Sequence, residues 1–352
     1  MPDVLSSKPT RSAACGLPVW SLLCLCLLSD IAVAAEVLIA KDDVGRTREL
    51  LAPAKRIAGA GGPAEMLLYT LAPMRLAGWN REPSPAARRF IPEALQPRVI
   101  IRQLPEARDA SRDADFLALA PDLILDYGTL DPDYIERANA IEVRLHVPYL
   151  LFDGALGRIP DAYRRIGPLV GEEARGTQLA TLTQRLLDKY RNLLARSPSR
   201  RVYVTDSADG LSPVFTDFSG TEIFAWLGLE NVAGRLDDAK TLPITFAQVR
   251  QWQPDVIFAL NPALRAQIGP DTPWQGLKAV RDSKVYSAPR LPFDWVARPP
   301  SVNRLLGLVW VAMVLSPADQ RSGFEQDLRE LFGTLLHREL NSGELEALLG
   351  DG

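Results

Sequence analysis

EARGTQLATLTQRLLDKYRNLLA, residues 173–195, is the longest periodic segment of the chain. Leu179, Leu182, Leu186, Tyr190 and Leu193 recur at steps of three and four residues, which is one face of an α-helix. Glu172 and Glu173 stand at its start and Lys189 and Arg191 near its end, the signs that a helix dipole favours. At 1.5 Å per residue the segment would be about 34 Å long. Ser197-Pro-Ser closes it.

On both sides of this rod the chain alternates short apolar runs with helical patterns. Before it, 56–59, 76–79, 123–125 and 147–152 read as strands, and 65–71, 132–140 and 159–169 as helices. After it, 201–205, 256–258 and 284–287 read as strands. Helices are expected over 246–252, 302–316 and 322–341, and one more opens at Ser219, with Glu222 completing a capping box. Such alternation predicts α/β layers with a largely parallel sheet. One junction occurs twice: Leu-Ala-Pro-Asp-Leu-Ile-Leu at 119–125 and Trp-Gln-Pro-Asp-Val-Ile-Phe at 252–258. In each, a helix ends before proline, Pro-Asp turns the chain and a buried strand begins. Equivalent junctions on either side of one long helix predict two similar lobes joined by a rod. The cleft between them would take a ligand beyond the carboxyl ends of the strands, with modest closure.

The 352 residues suffice for two domains, and 47% hydrophobic with 24% charged residues is ordinary globular composition. A net charge of -3 without a long basic run argues against a nucleic-acid partner, which needs a concentrated Lys/Arg face. The three cysteines, Cys15, Cys24 and Cys26, all lie near the N-terminus, within a stretch that reads as a secretion signal. Lys8 and Arg11 precede an apolar run at 17–28, and small residues at 32–35 suit a signal peptidase. The run is shorter than the ~20 residues of a membrane-spanning helix. Leucine precedes Cys24 and Cys26 where lipid attachment wants a small residue, so a free exported protein is expected. The expected organisation is a signal peptide at 1–35, a first lobe at 36–171, the linking helix at 172–197 and a second lobe at 198–352.

With no body cysteine and only His146 and His337, the chain lacks the usual ligands for a bare soft transition metal. Gly59-Ala-Gly-Gly62 reads as an anion nest or as a tight turn beside bound ligand. It is neither GxGxxG nor a nucleotide loop. The loops after the strands instead carry aromatic and cationic groups: Trp79 with Arg81, Tyr127, Phe218, and the stretch 290–298 with Arg290, Trp295 and Arg298. Aromatic rings offer broad contact and arginine a planar fork for carboxylates or oxyanions. Such a lining suits a bulky, preassembled anionic ligand, although Trp79 or Trp295 could equally plug a lobe core. The competing reading is a hydrolase-like enzyme using Asp126, Asp217 and Asp294; another is a non-transport adaptor on the same fold.

The chain resembles the periplasmic substrate-binding proteins of ABC importers for iron-siderophore, haem and cobalamin-type ligands, the class III architecture with a helical backbone. The resemblance starts at Asp-Val-Gly-Arg-Thr-Arg-Glu-Leu (43–50) and Pro-Ala-Lys-Arg-Ile (53–57) and runs through both Pro-Asp junctions. It continues in Gly-Leu-Glu-Asn (228–231) and ends in Arg-Pro-Pro-Ser-Val-Asn-Arg-Leu-Leu-Gly (298–307). It implies two Rossmann-like lobes, a monomer without catalysis or cofactor, and docking onto an inner-membrane permease dimer with its ATPase. Relatives pair one surface glutamate per lobe with permease arginines. Glu230 matches in the second lobe; in the first the position falls at Ala114, leaving Asp113 or Asp115 to supply the charge. Relatives carry ferric siderophores, haem, corrinoids or oxyanions such as molybdate, and a siderophore-like iron(III) chelate is the expected ligand here.

Overall fold

β1 (Glu36–Lys41) and β2 (Thr47–Ala52) form an antiparallel hairpin that leads into two separate parallel sheets. The first sheet has the order β3-β4-β5, with β3 at Ile57–Gly59, β4 at Leu123–Gly128 and β5 at Tyr149–Asp153. The second has the order β7-β6-β8-β9, with β6 at Arg201–Thr205, β7 at Glu230–Asn231, β8 at Val256–Ala259 and β9 at Val285–Ser287. The computed structural model describes residues 36–101, 104, 110–198, 200–215, 219–234, 244–268 and 272–350. The expected signal peptide, Asp217 and Phe218 lie outside the described residues.

Both faces of each sheet are covered, as parallel strands require. Ile57, Leu123, Leu125, Leu150 and Phe152 face the main core, and their neighbours Ala58, Ile124, Tyr149 and Leu151 meet Ala138, Ile141 and Leu145 on the outside. In the second sheet Val202, Val204, Val256 and Phe258 face the main core, while Tyr203, Ile257 and Ala259 pack outward with Val249 and Trp274. The period of two in a strand thus sorts each run of apolar residues onto two layers. This is the two-lobed α/β architecture that the alternation of strands and helices predicts.

The linking helix runs Glu173–Tyr190, about 27 Å, and not through residue 195. Leu179, Leu182, Leu186 and Tyr190 are buried as the spacing predicts, but Leu193 is exposed. The helix stops at Arg191, whose ψ of 121° leaves the helical region, and Asn192 then takes a left-handed conformation (φ 55°). The N–H groups of Asn192 and Leu194 then donate to Trp226 O and Leu227 O, each at 2.8 Å. Nor is the helix a free-standing rod. The helix Arg321–Leu335 lies along it, where Lys189 Nζ sits 2.6 Å from an Asp327 oxygen and the Tyr190 hydroxyl donates to the same carboxylate. At its start Arg175 donates to Thr334 O, and Tyr69 Oη donates to Leu336 O at 3.0 Å. Inner faces of both sheets therefore share one core through the linking helix and the helix Arg304–Leu315, which is apolar after its first residue.

Two local readings differ from the structure. Residues 76–79 form only isolated bridges, Ile57 to Leu76 and Trp79 to Ile100, rather than a strand. No capping box forms at Ser219; a 3-10 turn, Ser219–Thr221, precedes the helix Glu222–Trp226. The Glu222 carboxylate is drawn away to Leu156 N–H and Arg304. The capping box of this region is instead Thr245 with Gln248, at the start of the helix Phe246–Trp252.

Candidate functional site

The loops beyond the carboxyl ends of β3, β5 and β9 meet. Gly62, at the start of the helix Gly62–Leu71, faces Pro299: a Cβ there would sit 3.1 Å from the proline ring. Ser301 Oγ donates to Pro63 O at 2.7 Å. Phe293, from the loop after β9, packs its ring on Tyr69 (5.4 Å between centroids) and Trp79 (6.2 Å), which themselves lie 5.4 Å apart edge to face. One aromatic cluster therefore joins the two halves.

Beneath these loops lies a buried polar tie. Arg304 has no exposed surface; its Nε donates to Ser301 O at 2.9 Å, Nη1 to Glu222 Oε2 at 3.2 Å, and Nη2 to Gly154 O, just beyond β5. Glu222 also accepts the Leu156 N–H. Tyr127 packs beside this guanidinium, and burial pushes its hydroxyl well above the ordinary tyrosine range.

The candidate residues divide by exposure. Arg81, Arg290 and Arg298 are exposed on the loops. Arg298 Nε donates to Asp206 Oδ2 at 2.9 Å, and Arg290 Nε stands 3.7 Å from Asp294 Oδ2. Trp79 is buried in the aromatic cluster. Tyr127 and Trp295 have no exposed surface and lie beneath the loops. Trp295 plugs the core against Phe332 and ties its ring N–H to Leu291 O at 2.8 Å. Glu230 is exposed on β7, the edge of its sheet, 3.8 Å from Arg201. In the first lobe Asp113 is paired with Arg144 at 2.8 Å, whereas Asp115 is exposed.

Two carboxylates of the enzyme reading are engaged in structure. Asp126 accepts from Tyr134 Oη at 2.5 Å, Tyr149 Oη at 2.6 Å and Tyr127 N at 2.9 Å. Asp294 Oδ1 accepts from Val296 N at 3.0 Å and Ala297 N at 2.8 Å, which folds the loop that carries Arg298. Among the described residues no group of three or more His, Cys, Asp or Glu could hold a metal ion. No helix among them is long and apolar enough to cross a membrane. A cavity of about 240 Å³ lies elsewhere, at the β3 edge of the first sheet between Met74, Trp79 and Arg98.

Sequence reasoning missed Glu65, Asn80, Phe293, Glu222 and Arg304. Arg304 carried a signal, because it is a lone cation opening an otherwise apolar helix. The glycine run acts as a tight turn: a Cβ on Gly59 would lie 2.8 Å from Glu65 N, so the helix rests directly on the strand end. Glu65 is half-buried there and accepts the Asn80 N–H. Burial pushes its carboxyl up to about 7, against the opposing pull of the Asn80 hydrogen bonds and the Arg81 charge. The folded protein then holds a proton that the unfolded chain releases near pH 4.5, so stability falls as pH rises from about 4.5 to 7 and levels off above. Glu65→Gln should match wild type near pH 4.5 and exceed it at pH 8 by up to about 3 kcal/mol, read by urea unfolding at both values. A gap independent of pH would refute this.

The sequence profile described as periplasmic binding protein matches residues 113–291. No curated protein matches the chain. Among solved structures, an ABC transporter solute binding protein from Sulfurospirillum deleyianum DSM 6946 superposes with a TM-score of 0.78 at 24% identity, covering 90% of this chain and 99% of that one. The molybdate-bound periplasmic binding protein MolA of Haemophilus influenzae gives 0.65 at 18% identity, covering 86% and 99%. The vitamin B12 binding protein BtuF of Vibrio cholerae gives 0.53 at 19%, covering 78% and 98%. At such identities these likenesses speak to the fold.

Proposed function

We propose a ligand for this chain, which belongs to the periplasmic binding protein family: an anionic iron(III) chelate of the siderophore kind, captured for an ABC importer. The observation that supports it most is the set of exposed guanidinium groups, Arg81 on one side and Arg290 and Arg298 on the other, around an aromatic cluster shared by both lobes. Guanidinium forks suit the carboxylate and oxyanion groups of a chelate, and the rings suit its apolar body. An inner-membrane permease with its ATPase would receive the loaded protein, with Glu230 and Asp115 as acidic docking points on the two lobes. The engagement of Asp126 and Asp294 in structural hydrogen bonds favours binding over hydrolysis.

Tryptophan quenching and titration calorimetry against ferric aerobactin, haemin, cyanocobalamin and molybdate test the reading. Ferric aerobactin, an anionic chelate with free carboxylates, is expected to bind, and Arg81→Ala to weaken it about tenfold, the worth of a charge-assisted hydrogen bond. Response to cyanocobalamin, haemin or molybdate alone would replace the iron chelate by that ligand.

A further inference from the structure

Asn80 stands in the loop beyond Trp79, against the first turn of the helix Gly62–Leu71, and is held from two sides. Its backbone N–H donates to a Glu65 oxygen, and its side-chain Nδ2 donates to Gly59 O at 3.4 Å. A carbonyl can only accept, so this second bond decides which way the amide points. The opposite end, Oδ1, is buried and has no hydrogen-bond partner. A buried amide oxygen without a donor is unfavourable, and native proteins keep such orphans chiefly where something else completes them.

The position suggests what completes it. Asn80 and Glu65 cluster at the carboxyl end of β3, where Gly62 and Pro63 meet Pro299 and Ser301 of the other lobe. Ligands of parallel α/β sheets bind at such strand ends. Arg81 follows immediately and supplies the positive charge of the neighbourhood. The guanidinium can meet an anionic group; the oriented Asn80 oxygen can meet only a donor.

We propose that Asn80, oriented by Glu65 and Gly59, is a specificity-determining residue that accepts a hydrogen bond from an N–H or O–H group carried by the ligand. The inference rests on the reading of these loops as the solute site, but not on the solute being an iron chelate. It separates ligands that carry amide or hydroxyl donors beside their anionic or metal-bearing parts from ligands that offer acceptors alone. A site that hydrogen-bonds a substrate group rejects analogues lacking it, because its own polar atom is then left unpaired.

The test is titration calorimetry of the purified chain at pH 8 with ferric aerobactin and cyanocobalamin, which bear amide N–H groups, and with molybdate, which bears none. Asn80→Leu removes the acceptor at similar volume. Asn80→Gln keeps both an acceptor oxygen and a donor nitrogen and guards against a folding artefact, since a misfolded loop would fail in both variants. Expected is binding of a donor-bearing probe to wild type, a loss of about tenfold or more in Asn80→Leu, and a clearly smaller loss, within about threefold of wild type, in Asn80→Gln. Ferric aerobactin binding that is equal in wild type and Asn80→Leu overturns the inference and leaves the iron-chelate reading standing. Binding of cyanocobalamin alone, lost in Asn80→Leu, overturns the iron reading and supports the inference. Binding of molybdate alone, or of no probe, overturns both.

Discussion

Arg304→Met lowers the thermal midpoint by roughly 4–7 °C, the expected consequence of a loss of about 3–5 kcal/mol in a chain of this size. The guanidinium is wholly buried and its donors reach three places: Ser301 O, Glu222 and Gly154 O. Methionine fills much of the volume but satisfies none of them. Gly154 O is left without this donor, and the Glu222 carboxylate keeps the Leu156 N–H but loses its cation. Breaking a buried pair by removing one partner is costly because the other stays behind uncompensated. The tie also joins the end of β5 to the second half of the chain, so ligand affinity should fall with stability. Arg304→Lys should not rescue it, because one ammonium cannot reproduce a planar fork. A calorimetric midpoint within about 1 °C of wild type for Arg304→Met would show that the tie carries little stability.

Gly307→Ala and Gly323→Ala, two one-carbon additions within C-terminal helices, should act in opposite directions. At Gly307 the new Cβ would lie 2.2 Å from Trp295 O, a backbone atom that cannot swing aside, and 3.2 Å from Ile223 Cδ1. The helix Arg304–Leu315 is buried on all sides, so it cannot retreat without opening the core. Overpacking of this kind costs about 1–3 kcal/mol and often more when backbone is struck; we expect the upper end, with a drop in soluble yield. At Gly323, on the exposed start of the helix Arg321–Leu335, nothing lies within 4 Å. Alanine there should stabilise by about 0.5–1 kcal/mol through helix propensity alone. Urea unfolding of the two variants reads the contrast directly, and equal effects at both sites would contradict the packing argument.

Much of the architecture was legible because it rests on short-range regularities. The helices Ile159–Leu169 and Phe246–Trp252 and the strand Arg201–Thr205 have the bounds expected from spacing and caps. Errors fell where a distant partner intervenes. Residues 191–195 have helical composition, yet the N–H groups of Asn192 and Leu194 are claimed by the carbonyls of Trp226 and Leu227. Glu222 has the spacing of a capping box, yet Arg304 and Leu156 N–H take its carboxylate. Among the loop candidates, residue type foretold the aromatic and cationic character but not exposure: Arg81, Arg290 and Arg298 lie open, while Trp295 and Tyr127 are enclosed.

What the sequence by itself determined is the alternation of strands and helices, the two Pro-Asp junctions, the linking helix between them and, through motifs in that order, the family. These are properties of neighbours a few residues apart, where backbone periodicity decides which side chains share a face. Tertiary structure alone decided which polar groups are spent and which remain available. Arg304 meets Gly154 across 150 residues of chain, and Asn80 is left with an unpaired oxygen only because Gly59 and Glu65 hold it in place. Burial and hydrogen-bond satisfaction depend on every group packed around an atom, and a linear pattern does not carry that information.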